Sequence, residues 1–132
     1  MDDNKIKQEQ LSCWVIWGAM FSALFFYQFF LAHGIPQGKD DGKPNQVFFW
    51  MSIGVVLISS GIRWFLIPKE KEIAKMRVLM IVGLALGELA QFFQIFLIGK
   101  NYPETQLSIF ILSVLCVAQF IPFYVLKKTI DE

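Results

Sequence analysis

Few side chains in this sequence can do chemistry, and the most telling is Glu88. It follows Arg77 by eleven residues inside an otherwise apolar run. At 1.5 Å per residue of α-helix that is about 16 Å, the midplane of a bilayer. An ionised carboxylate is costly at that depth, so Glu88 is expected to be either neutral or paired. Gln91 and Gln94 follow it at i+3 and i+6, and matching depths put Ser22, Ser59, Ser60, Cys116 and Gln119 near the same level. The candidate site is therefore Glu88 with Gln91, Gln119 and Ser59, which could bind or relay a proton or a cation. Arg63 is the candidate charge partner. It shares one face of its helix with Ser52 and Ser59, at spacings of seven and four, but lies about 9 Å nearer the membrane boundary than Glu88. In the structural alternative Glu88 fixes helix register, and Arg63 snorkels to the interface.

The other reactive residue types are sparse. Cys13 and Cys116 are far apart, and there is no CxxC motif or Cys/His cluster, so no metal site and no cofactor is expected. The single histidine, His33, falls at the end of the first apolar run and reads as an interface residue. No nucleophile has a base within a recognisable motif, and no paired carboxylates stand near an interface. The expectation is that the chain is not an enzyme.

Four apolar runs must position these residues: about 11–31, 47–67, 78–98 and 107–126. Each has roughly the 20 residues that cross a hydrocarbon core of about 30 Å. Lipid offers backbone groups no hydrogen-bond partner, so each run is predicted to be helical. The fold class expected is all-α: a polytopic integral membrane protein with four transmembrane helices in two hairpins, forming one domain over 1–132. The leader mixes Asp2, Asp3 and Glu9 with Lys5 and Lys7, and no A-x-A site follows the first run, which is therefore expected to stay in the mature protein.

The basic residues set the orientation. Lys5, Lys7, Arg63, Lys69, Lys71, Lys75, Arg77, Lys127 and Lys128 fall on one side, and Lys39, Lys43 and Lys100 on the other. By the positive-inside rule both termini are cytoplasmic, in a cell (inner) membrane. Trp14, Trp17, Trp64 and Tyr124 would then lie near the inner interface, and Trp50 and Tyr102 near the outer.

Gly83-x-x-x-Gly87 is a close-approach motif for helix packing, and Gly18-x-x-x-Ser22 repeats it more weakly. Gly18, Ser22 and Gly34 each precede Gly83, Gly87 and Gly99 by 65 residues, which suggests a tandem duplication of the two hairpins. Pro122 is predicted to kink the fourth helix near Gln119 and free a carbonyl.

Composition agrees with the membrane reading. Of 132 residues 55% are hydrophobic and 17% charged, more apolar surface than a soluble domain of this size can bury. A net charge of +1 argues against a nucleic-acid-binding surface.

Residues 54–99 resemble the hairpin of the ring-forming proteolipid (c-type) subunit of rotary ATP synthases. Gly61-Ile62-Arg63 and Pro68 are similar to its loop region, while Arg77 and Glu88, within MRVLMIVGLALGELAQFFQIFLIG, are similar to its basic residue and ion-binding glutamate. The resemblance implies that Glu88 is a proton or sodium site. The glycine-rich first helix of that family is represented only by Gly54 and Gly61.

Three functional classes follow. The first is a non-catalytic subunit or stabilising partner of a membrane complex, in contact with lipids and with other subunits or copies of itself. The second is a proton- or cation-handling bundle built on Glu88. The third is a lipid- or small-molecule-binding bundle.

Overall fold

A computed structural model describes residues 3–31, 34–42, 46–98 and 101–125. Asp2, His33, Lys43, Gly99, Lys100, Lys127 and Lys128, invoked above, lie outside the described residues, as does Leu126 at the end of the fourth run. The described chain is all-helical: α1 Asp3–Phe30, α2 Gln46–Gly61, α3 Ile73–Phe92 and α4 Pro103–Ala118. A π-helical turn, Ile62–Leu66, and a 3-10 turn, Ile67–Lys69, extend α2, and a second π-helical turn, Phe93–Ile98, extends α3. Four segments are long and apolar enough to cross a membrane: Asn4–Phe30, Gln46–Lys69, Ile73–Ile98 and Pro103–Val125.

The helix limits depart from the hydropathy runs for local reasons. α1 starts eight residues before position 11, because the leader is built from Lys, Gln and Glu, polar but good helix formers. α3 starts at Ile73 rather than 78, since Ile73 and Met76 are buried and tie this turn to the core. α4 starts at Pro103 rather than 107, with proline in the first turn, where its missing N–H costs nothing. Its α-helix ends at Ala118, well short of 126, because Pro122 cannot donate to the ladder. There Phe120 N donates to Val117 O, Ile121 N to Ala118 O and Phe123 N to Ile121 O, replacing the i→i−4 pattern.

α3 packs against all three other helices, and α4 also meets α1 and α2. Consecutive α1 and α2 instead sit on opposite flanks of the α3–α4 pair. The larger core gathers Cys13, Leu24, Ile67, Met76, Met80, Leu84, Val117, Phe120 and Val125. A smaller one holds Ala90, Ile98 and Ile109 at the other end. The exterior is apolar, with Leu57, Ile58, Phe65, Phe96, Leu115 and Phe123 exposed, as a lipid-facing surface requires.

The two small-residue motifs behave differently. A Cβ on Gly83 would lie 2.1 Å from Cζ of Phe120, and one on Gly87 would lie 2.9 Å from Cγ2 of Val117. These glycines therefore seat α3 on α4. Gly18 has nothing within 4 Å of the same position, and Ser22 is exposed. The expected packing role of Gly18 and Ser22 is not met within the chain, because that face of α1 points away from the bundle.

Positive φ at Gly34 (116°), Gly38 (112°) and Gly42 (80°) lets the α1–α2 loop turn back over the start of α4. Asp40 Oδ1 there accepts from the N–H groups of Glu104 (2.8 Å) and Thr105 (3.3 Å), and Oδ2 accepts from Thr105 Oγ1 (2.7 Å). A loop residue 64 positions away thus caps α4, satisfying N–H groups that the helix itself leaves open.

Candidate functional site

Among the described residues Ser52 and Ser113 bond within their own helices, whereas the buried side chains that hydrogen-bond between helices form two clusters, and Glu88 belongs to neither. The first lies toward the end of the bundle carrying the α2–α3 loop. Ser59 Oγ donates to Gly83 O (2.8 Å), and Cys116 Sγ donates to Ser59 Oγ (3.1 Å). Gln119 Nε2 donates to Ser60 Oγ (3.0 Å) and reaches Cys116 Sγ (3.7 Å). Trp64 Nε1 donates to Gln119 Oε1 (2.9 Å). This cluster joins α2 and its extension to α3 and α4.

The break at Pro122 adds two main-chain acceptors beside this cluster. Carbonyls of Val117 and Gln119 lose their usual i+4 donors, and side chains of other helices reach them. Trp17 Nε1 donates to Val117 O (2.9 Å), and Arg63 Nε donates to Gln119 O (2.6 Å). A freed carbonyl is thus present near Gln119, as expected from Pro122: Gln119 O holds the extension of α2, while Val117 O, which also accepts from Phe120 N, holds α1. Trp14 packs edge-on against Trp17 and Phe123, so Trp14, Trp17, Trp64 and Tyr124 gather at this end of the bundle.

The second cluster consists of four buried glutamines at the other end. Gln91 Nε2 donates to Leu24 O, Gln94 Nε2 to Gln28 Oε1 (2.7 Å), Gln28 Nε2 to Gly34 O (2.8 Å) and Gln106 Nε2 to Gln94 O (2.9 Å). The chain of donors fixes the amide orientations, since flipping Gln91 or Gln94 would set oxygen against oxygen. Gln91 Oε1 and Gln94 Oε1 are then buried acceptors with no partner among the described residues.

Glu88 is half-buried, and its Oε1 is likewise buried without a hydrogen-bond partner among the described residues. It sits about 100° around α3 from Gly87, on the side of Gln91, which bonds to α1. Ser59 and Gln119 lie against the Gly83–Gly87 side. Of the four residues expected to act together, Ser59 and Gln119 share one cluster through Ser60 and Cys116. Gln91 belongs to the other, and Glu88 stands on the flank between them.

The pairing of Arg63 with Glu88 does not occur. Ser59 is level with Gly83, Arg63 lies one turn toward the loop, and Glu88 lies five residues the other way, an axial gap of roughly 13 Å. Arg63 turns instead to Gln119 O and to the rings of Trp64 and Tyr124. Among the described residues no three His, Cys, Asp or Glu side chains are grouped to hold a metal ion.

Gln28 and Gln106 are participants that the sequence did not single out, and Trp17 is more than the interface residue expected of it. Gln28 is the one amide inside the Phe-rich segment FFYQFF, and a polar residue within a span is itself a signal for helix contact. Phe26, Phe29 and Phe30 around it are exposed, so the phenylalanines face outward while the glutamine faces in. No family model matches this chain, and neither the curated proteins nor the solved structures contain a match to it.

Proposed function

We propose that the chain is a non-catalytic subunit or stabilising partner of a membrane complex, inserted in the cell membrane with both termini cytoplasmic. The observation that carries this reading is the destination of its interior polar groups. Ser59, Gln91, Gln106, Trp17 and Arg63 all donate to main-chain carbonyls, and most of these bonds cross from one helix to another. Such bonds lock helix order and register rather than line a reaction site. The Lys/Arg distribution supports the orientation.

Quantitative membrane proteomics after deletion of the gene tests this reading. One complex should fall in abundance and recover with the wild-type chain and with Glu88→Gln alike. An unchanged membrane proteome would overturn it. Fusions at the C-terminus to a reporter active only outside the cytoplasm should be silent.

A second reading, proton or cation handling, is favoured by Glu88 Oε1, Gln91 Oε1 and Gln94 Oε1. These are three buried acceptors, at i, i+3 and i+6 of α3, with no donor among the described residues. The likeness of residues 54–99 to proteolipid hairpins points the same way. Since Glu88 holds no partner among the described residues, Glu88→Gln should leave the unfolding midpoint unchanged. A functional defect in that stable variant would favour ion handling, whereas full complementation would remove it.

A further inference from the structure

Arg63 is a cation held in place without a counterion among the described residues. Its Nε donates to Gln119 O at 2.6 Å. Its Cζ lies 4.2 Å from the ring centroid of Trp64 and 4.7 Å from that of Tyr124. One hydrogen bond and two aromatic faces therefore fix the guanidinium plane, while its Nη groups have no hydrogen-bond partner among the described residues. The carboxylates of the neighbouring loop are engaged elsewhere. Glu70 Oε1 accepts from Lys71 N (3.0 Å), and Glu72 pairs with Lys75 at 3.9 Å.

Arg63 is also placed near the membrane boundary. It is six residues before Lys69, where the α2 span ends, and so about 9 Å inside it. Trp64, the ring beside it, is 56% exposed on the outside of the bundle. A long basic side chain at this depth reaches the headgroup level, where phosphate oxygens are acceptors for a guanidinium. Its fixed planar fork matches the oxygens of a phosphate, a geometry that an ammonium does not offer.

We propose that Arg63, clamped between Trp64 and Tyr124 and anchored on Gln119 O, binds the phosphate of an anionic phospholipid headgroup at the end of the bundle that carries the α2–α3 loop. The aromatic clamp removes rotational freedom before the lipid arrives, and the Nη edge supplies the donors. Lys69, Lys71 and Lys75 on the following segment are exposed and add diffuse attraction for an anionic surface, which is a separate effect. The site is independent of Glu88 and of the subunit reading.

The test uses the full chain purified in a neutral detergent, titrated with phosphatidylglycerol, phosphatidylcholine or inorganic phosphate. Bound lipid is counted by native mass spectrometry. Phosphatidylcholine holds the same phosphodiester, but its quaternary ammonium neutralises it, so wild type should retain phosphatidylglycerol over phosphatidylcholine by about tenfold, the scale of one charge-assisted contact to a phosphate with no cation of its own. Arg63→Gln should abolish that preference, and Arg63→Lys, which keeps the charge and can still donate to Gln119 O, should lose most of it. Lys71→Gln should keep it. Equal preference in wild type and in both Arg63 variants would overturn the proposal. So would loss of the preference in Lys71→Gln alone, which would assign it to diffuse charge. Displacement of the lipid by millimolar inorganic phosphate would assign the site to a soluble anion and overturn the headgroup assignment. Should Arg63→Gln lose helicity by circular dichroism, the lysine variant alone decides.

Discussion

Replacing Gly83 with alanine puts one methyl group where the α3–α4 contact has no room for it. The new Cβ would lie 2.1, 2.5 and 2.8 Å from Cζ, Cε1 and Cε2 of Phe120. Ordinary contact needs a retreat of more than 1 Å. Phe120 is fully buried within the larger core, so its ring cannot swing away without displacing that core. The remaining route is separation of α3 from α4. Overpacking of this kind costs about 1–3 kcal/mol. Any movement of α3 also disturbs the bond from Ser59 Oγ to Gly83 O, worth about 0.5–1.5 kcal/mol. Against this, alanine is the better helix former by about 0.5–1 kcal/mol. Gly83→Ala should therefore lower stability by a net of about 1–3 kcal/mol. Gly18→Ala, which meets open space, should gain only the propensity term. The assay is reversible denaturant unfolding of the detergent-solubilised chain, read by circular dichroism. The double variant Gly83→Ala/Phe120→Ala supplies the control. Removing the ring makes room for the methyl group, so the two losses should fall short of additive. Equal stability of the two glycine variants, or strict additivity in the double variant, would refute the argument from close approach.

Other substitutions probe the remaining contacts. Asp40→Ala removes the acceptor that caps α4 across the loop and should cost about 1 kcal/mol in the same unfolding assay, with faster amide exchange at Glu104 and Thr105. Gln28→Leu leaves Gln94 Nε2 and Gly34 O without their partner and should cost about 1–3 kcal/mol. Exposed Phe29→Leu should stay within about 0.5 kcal/mol of wild type in that assay. Pro122→Ala allows α4 to run on past Gln119, which withdraws the acceptor carbonyls from Trp17 and Arg63. A change in tryptophan emission, with helicity equal to or above wild type, is the expected result.

The sequence by itself determined the helical class and the four spans. Each span needs only about 20 apolar residues in a row and a backbone that satisfies its own hydrogen bonds, and both are local properties of the chain. Pro122 was legible for the same reason, because a missing N–H breaks a helix whatever surrounds it. Tertiary structure alone decided which polar groups meet. Gln94 and Gln28 are 66 positions apart, and Trp17 and Val117 are 100 apart. Depth matching could set such residues at a common level, but it could not set the rotation of each helix or the order of neighbours around α3. Glu88 shows the limit. The sequence put it at the midplane beside polar residues, yet rotation of α3 turned it toward α1 and away from Ser59 and Gln119. Gly18 and Ser22 show the same limit from the packing side. Their spacing equals that of Gly83 and Gly87, but a small-residue motif becomes a contact only where another helix is delivered to that face, and in this bundle α4 is delivered to α3.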